Sequence, residues 1–161
     1  MACSADQIAA IEAYTGTGYH PINVYLREDG FGDPIIEQQI QHLDQAIANN
    51  PAPAAVIVYR GVGEAFAVEL AERGLTVGDI IQDKGFLSTS RRKEIAVAFM
   101  RDEGGMLFAI RVPPGSKALD VAPFSAYSDE AEILLAREAR LRVIGYSPVD
   151  DTLELEMLGD E

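Results

Sequence analysis

Glu130-Ala131-Glu132 stands where a loop, residues 123–129, runs into the apolar stretch Ile133-Leu134-Leu135. Two glutamates two positions apart at a strand start point to the same side. Held close, such carboxylates repel one another and can titrate apart, which suits a pair with separate roles, one holding charge and one moving a proton. Glu154-Leu155-Glu156 has the same spacing but alternates with Leu153 and Met157, the pattern of an exposed strand face. Ser88-Thr89-Ser90 closes the run Gly85-Phe86-Leu87. Hydroxyls at a strand end orient a carboxylate, bind a ligand or cap the following helix, and capping is the default for Ser90. Tyr59-Arg60-Gly61 sets an arginine at another strand end, where a guanidinium either grips a phosphate with two parallel hydrogen bonds or rests in solvent.

Other short motifs mainly exclude. Gly61-Val62-Gly63-Glu64-Ala65-Phe66 follows a strand and opens a helix, but its third small position holds Phe66, too large for the close packing of a dinucleotide-binding turn. A turn closed by glycines is the better reading. Lys84-Gly85 reverses the order that a P-loop needs. His20 and His42 are not spaced as a metal pair, and the single cysteine, Cys3, forms neither an internal disulfide nor a thiolate cluster, so no metal is expected.

The elements that must carry these residues change character along the chain. Ser4-Ala5-Asp6-Gln7 has capping-box spacing and opens a helix to about Tyr14, which Gly16 and Gly18 should end. A short helix is expected over residues 22–28. Asp33-Pro34 is an N-cap with proline at the first helical position, and Ile36, Ile40, Leu43 and Ile47 then mark one apolar face. Asn49-Asn50-Pro51-Ala52-Pro53 breaks that helix. From Ala54 on, β-rich runs cover residues 55–60, 85–88, 106–112, 132–135, 141–146 and 152–157, with helical stretches near 64–73 and 92–101. Helices first and strands afterwards predict an α+β domain with a mostly antiparallel core. It reads as one domain over residues 1–161, helical over 1–50 and β-rich over 54–158.

The 161 residues include 26 acids against 13 bases, a net charge of −13, which argues against nucleic acid as the main ligand. Residues 1–50 and 124–161 hold the excess acid, while 51–123 carry nine of each sign. An anionic ligand is therefore expected in the middle of the chain. No apolar run approaches the ~18 residues of a membrane span, and the N-terminus lacks the basic and apolar regions of a signal peptide. No membrane association is expected. One cysteine suits a reducing, cytoplasmic compartment, or delivery into a target cell by a route without a cleaved signal.

In their order, Tyr59-Arg60, Phe86-Leu87-Ser88-Thr89-Ser90 and Glu130-Ala131-Glu132 resemble the mono-ADP-ribosyltransferases of the arginine–serine–glutamate class. The likeness extends outward to the enzymatic domains of the actin-modifying binary toxins. Tyr19-His20-Pro21-Ile22-Asn23-Val24-Tyr25-Leu26-Arg27 is similar to an element of their helical part, and Ile110-Arg111-Val112-Pro113-Pro114-Gly115-Ser116-Lys117-Ala118 to the strand and turn before their catalytic loop. Residues 132–135 and 141–143 resemble their final strands. About residues 8–158 are covered.

The resemblance implies two small, mostly antiparallel sheets packed near right angles, with the N-terminal helices against one and NAD in the cleft between. It implies cleavage of NAD at the nicotinamide–ribose bond and transfer of ADP-ribose to a protein side chain, through an oxocarbenium-like transition state of the kind seen in glycoside cleavage. Glu132 then holds the ribose 2′-hydroxyl and faces the developing charge. Ser88 orients Glu132, while Thr89 and Ser90 shape the nicotinamide pocket. Arg60, flanked by Tyr59 and Gly61, binds the phosphates, with Asn23 and Arg27 towards the adenosine. The chain departs from the family between Ser90 and Met106, where residues 91–101 read as helix in place of a loop over the phosphates and nicotinamide. From that helix Phe99 is expected to stack on the nicotinamide and Arg101 to meet a phosphate. Glu130 selects arginine as acceptor, because a guanidinium stays protonated and needs a carboxylate to bind it and take its proton. Phe124 and Tyr127 contact the acceptor protein. The competing readings are an NAD glycohydrolase on the same scaffold and a catalytically silent NAD- or partner-binding module. A bacterial effector, a toxin domain or a phage-encoded modifier of host proteins is the expected setting.

Overall fold

The computed structural model describes residues 2–125 and 127–159. Helix α1 (Ala5–Ala13) opens on the expected capping box: Gln7 N donates to Ser4 Oγ and Ser4 N to Gln7 Oε1. The glycines expected to end it do not. Tyr14–Gly18 forms a wide π-helical turn that runs directly into α2 (Tyr19–Arg27). A Cβ on Gly18 would stand 2.7 Å from the Ala13 carbonyl oxygen, so this residue's bare backbone lets the helix wind on. Helix α3 (Pro34–Asn49) starts at Asp33, whose Oδ1 accepts from Ile35 N and Ile36 N. Its face of Ile40, Leu43 and Ile47 packs with Ile11, Tyr14 and Ile22 in one core, each large side chain contributing about 1.5–3 kcal/mol by leaving water.

Eight strands follow: β1 (Val56–Val62), β2 (Ile80–Gln82), β3 (Leu87–Ser90), β4 (Met106–Val112), β5 (Ala118–Asp120), β6 (Glu132–Leu135), β7 (Arg140–Ser147) and β8 (Thr152–Met157). Helix α4 (Glu64–Arg73) follows β1 and α5 (Lys93–Glu103) follows β3. The order across the sheet is β2-β7-β8-β4-β1-β3-β6-β5, antiparallel throughout except for β4 beside β8. The α+β class and the antiparallel core stand as read, but the strands form one hydrogen-bonded sheet instead of two. Its halves join through a single registered pair, Tyr59 opposite Ser90, whereas β1 and β4 share seven.

Alternation along β6 places Leu134 in the core under the N-terminal helices, and Ile133 and Leu135 in a second core with Val58, Phe108 and Leu155. Both neighbours of β1 run antiparallel to it, so the turn at Gly63 belongs to no βαβ unit. Among the described residues no helix is long and apolar enough to cross a membrane.

Candidate active site

The single-pair seam is where the singled-out residues gather. Arg60, inside β1 two residues before its end and not at the strand end expected, donates from Nη1 to the Ser88 carbonyl of β3 at 2.9 Å. Glu132, the first residue of β6, lies opposite Ser90 in the β3–β6 ladder. The Ser88 hydroxyl shares a cavity wall with the Glu132 carboxyl and lies 3.4 Å from the Tyr14 hydroxyl. Behind it, Asn23 Nδ2 donates to Tyr14 Oη at 2.9 Å, and Asn23 Oδ1 accepts from Phe86 N at 2.9 Å. A continuous line of polar contacts thus runs from the α2 helix to the Ser88 hydroxyl beside the carboxyl group.

Burial pushes Glu132 up to about 7; the polar Ser88 hydroxyl pulls it back, the neighbouring Glu130 carboxylate raises it further, and the Arg60 charge lowers it. Its Oε2 is buried with no hydrogen-bond partner among the described residues. A buried acceptor left so costs stability, and such an atom is suited to receive a hydroxyl from outside. Burial also lowers the Arg60 guanidinium and raises the Tyr14 phenol from their ordinary values.

Two adjoining cavities share Arg60, Gly61 and Phe99. The smaller, about 160 Å³, is walled by Tyr59, Ser88, Thr89, Ser90, Glu130 and Glu132. The larger, about 410 Å³, takes in Arg27, Asp83 and Phe66. Arg27 stands there with its Nε 2.9 Å from Asp83 Oδ1. Gly61 brings β1 close to α5: a Cβ on it would lie 2.4 Å from the Ala96 carbonyl oxygen.

Glu130 and Glu132 do share a cavity, though not by strand alternation. Glu130 closes a 3₁₀ turn, Ser128–Glu130, and Ala131 takes a left-handed conformation at φ 49° before the strand begins. That conformation is costly for a residue with a Cβ and persists only when its surroundings hold it.

Several expected roles are redirected. Asn23 lines neither cavity; it is 7 % exposed and both ends of its carboxamide bond within the protein, so it supports the site from beneath instead of facing a ligand. Arg101 lines neither cavity, since positions two apart on a helix diverge by about 200° and Phe99 takes the inward direction. Phe124 packs against the helical core instead of standing out, while Tyr127 is 56 % exposed. Thr89 lines the smaller cavity, but its hydroxyl is spent on the Ile133 carbonyl at 2.7 Å. Ser90 does not cap α5, whose N-cap is Arg92; its hydroxyl accepts from Arg92 N and donates to the Glu130 carbonyl. Tyr14 was not anticipated. Its signal was a tyrosine nine positions before Asn23, hidden by the assumption that glycines separate the two. Among the described residues no three of His, Cys, Asp and Glu are grouped as metal ligands.

A family model described as ADP-ribosyltransferase exoenzyme matches residues 2–157. The chain belongs to this family. Among ADP-ribosyltransferase exoenzyme relatives, the NAD(+)–arginine ADP-ribosyltransferase EFV of Enterococcus faecalis is 28 % identical over 161 residues, 96 % of this chain and 31 % of that protein. The chain thus spans less than a third of that relative. Exoenzyme S of Pseudomonas aeruginosa, solved in complex with human 14-3-3 protein beta and bound to carba-NAD, matches with a TM-score of 0.79 at 25 % identity, over 96 % of this chain and 74 % of that one. The enzymatic component C2-I of the Clostridium botulinum C2 toxin shares the fold with a TM-score of 0.83 at 22 % identity, over 99 % of this chain and 44 % of that one.

Proposed function

We propose that this chain transfers ADP-ribose from NAD to arginine side chains of a target protein. The observation that carries the reading is the pair Glu130 and Glu132 on the wall of one small cavity, with Ser88 beside them and Arg60 at the junction with a larger cavity. The unpartnered Oε2 of Glu132 fits a ribose hydroxyl. Arg60 and Arg27 supply the positive wall that two phosphates need. The arginine-directed relative named above supports the same acceptor.

In this reading the bond between the nicotinamide nitrogen and ribose C1′ breaks, and the electron pair leaves with neutral nicotinamide. Glu132 holds the ribose hydroxyl and faces the positive charge that develops on the sugar. Glu130 binds the incoming guanidinium and takes its proton as nitrogen bonds to C1′, since a guanidinium with pKa above ~12 is no nucleophile until it loses one.

The test is labelled NAD with agmatine as an arginine mimic. Wild type should label agmatine, Glu132→Gln should lose both transfer and hydrolysis, and Glu130→Gln should lose transfer while releasing free ADP-ribose. Free ADP-ribose alone from wild type would make the chain a glycohydrolase. Full activity in both variants would remove these glutamates from the site.

A further inference from the structure

Three successive carbonyls of the loop that bears Glu130 each accept a hydrogen bond from one short segment, residues 90–92 at the end of β3. Arg92 Nη1 donates to Asp129 O at 2.6 Å, the Ser90 hydroxyl to Glu130 O at 2.5 Å, and Arg91 N to Ala131 O at 3.1 Å. Among the described residues the bonds within the loop are local ones, Glu130 N to Tyr127 O, Ala131 N to Ser128 O and Tyr127 N to Ser125 Oγ. Residues 90–92 therefore supply the outside grip on the left-handed Ala131 and on the glutamate beside it.

Arg92 is itself aimed. Its Nε donates to Glu94 Oε1 at 2.8 Å, in the first turn of α5, and its backbone N donates to Ser90 Oγ at 2.9 Å. A guanidinium fixed through one edge presents its other nitrogens in a set direction, which a lysine ammonium cannot reproduce. The ion pair with Glu94 is exposed and contributes little to stability on its own. Its effect is geometric: it points a charged donor at a carbonyl, the stronger kind of hydrogen bond.

We infer that Arg92 is a positioning residue for acceptor selection, holding the Ser128–Glu130 turn so that the Glu130 carboxylate meets an arginine guanidinium and not water alone. The inference rests on the proposed transfer to arginine. Glu132 is held separately, by the β3–β6 ladder beside Ser88, so loosening the clamp leaves its strand pairing in place. The clamp thus separates two outcomes of one cleavage: where Glu130 is held, C1′ passes to the guanidinium, and where it drifts, C1′ passes to water.

The full chain is assayed with labelled NAD and agmatine, reading labelled agmatine and free ADP-ribose separately for wild type, Arg92→Ala, Arg92→Lys and Glu94→Ala. Misplacement of a reacting group by about 1 Å costs up to ~10²-fold, so Arg92→Ala should lower the transfer-to-hydrolysis ratio about tenfold. The KM for agmatine should rise while the KM for NAD and the hydrolysis rate stay near wild type. Arg92→Lys should recover part of the ratio, and Glu94→Ala should lower it in the same direction by less. An unchanged ratio in Arg92→Ala, or equal loss in both channels, overturns the inference. Should Arg92→Ala fail to fold, an unchanged ratio in Glu94→Ala overturns it. Wild type that turns over no NAD, or labels no agmatine, fails one step earlier and brings down the proposed function together with the clamp.

Discussion

Tyr14 and Ser88 lie 74 positions apart and meet oxygen to oxygen at 3.4 Å. One belongs to the π-helical turn between α1 and α2, the other to the strand that forms the seam. The helical part of the chain therefore reaches the hydroxyl that lines the cavity with Glu132, and Asn23 fixes the phenol that does the reaching.

Replacing Tyr14 by Phe removes that oxygen. Asn23 Nδ2 loses its acceptor, which costs about 1–3 kcal/mol when a buried donor is left unpaired. A lower urea midpoint reads this cost. With Ser88 unsupported, transfer and hydrolysis should fall together, by about tenfold if some 1.4 kcal/mol of orientation is lost. A wild-type rate would reduce the helices to scaffolding.

The raised pKa of Glu132 fixes a sign for pH. Its folded value of about 7 lies above the ordinary 4.5, so the folded state binds the extra proton between the two. Stability from this group is present below about 4.5 and declines as pH rises towards 7, by about 3 kcal/mol in all. Thermal melts of Glu132→Gln and wild type should diverge above pH 5, with the variant the more stable at pH 8. Catalysis runs the other way: NAD turnover needs the ionised carboxylate and should climb through pH 7. A flat profile there would separate Glu132 from the rate.

Gly61→Ala tests the packing of β1 on α5. Its Cβ would lie 2.4 Å from Ala96 O and 2.8 Å from Met100 N, both backbone atoms of a helix. Overpacking of this kind costs about 1–3 kcal/mol. The helix must shift outward and take Phe99 with it, so denaturant unfolding should record the loss and the KM for NAD should rise.

Arg60→Lys keeps the charge and discards the planar fork. The bond to the Ser88 carbonyl and two-point phosphate contact both depend on that fork. The expected result is a KM for NAD raised about tenfold, the loss of roughly 1.4 kcal/mol of binding. Amide exchange in β3 should quicken as well.

What was legible in the sequence was what local chemistry decides. Asp33-Pro34 and the isoleucine face announced α3, and the apolar runs of β4, β6 and β8 announced themselves by length and alternation. Strands β2 and β5 have three residues each and exist only through their partners β7 and β6, so no pattern of their own marks them. The glutamate pair was found by spacing, yet the spacing acts through a left-handed Ala131 that no periodicity encodes. Asn23 and Arg101 were placed at the ligand by resemblance; one turned inward to bond Tyr14 and Phe86, and the other projects away from Phe99. Arg92 escaped because its partner is a backbone carbonyl 37 positions on, contributed by a loop with no apolar pattern.

A sheet usually hides its own edges by pairing every strand along its length. Here β1 and β3 share one rung, and the rest of their facing edges is left open. The opening is therefore cut from material already present, with no second lobe needed to form its far wall. It also turns main-chain groups that would have been sealed in a ladder into fittings for side chains, and the Ser88 carbonyl that receives Arg60 is the first of them. A mutation that restored full pairing between these two strands would make a more regular sheet and erase the cavity in doing so.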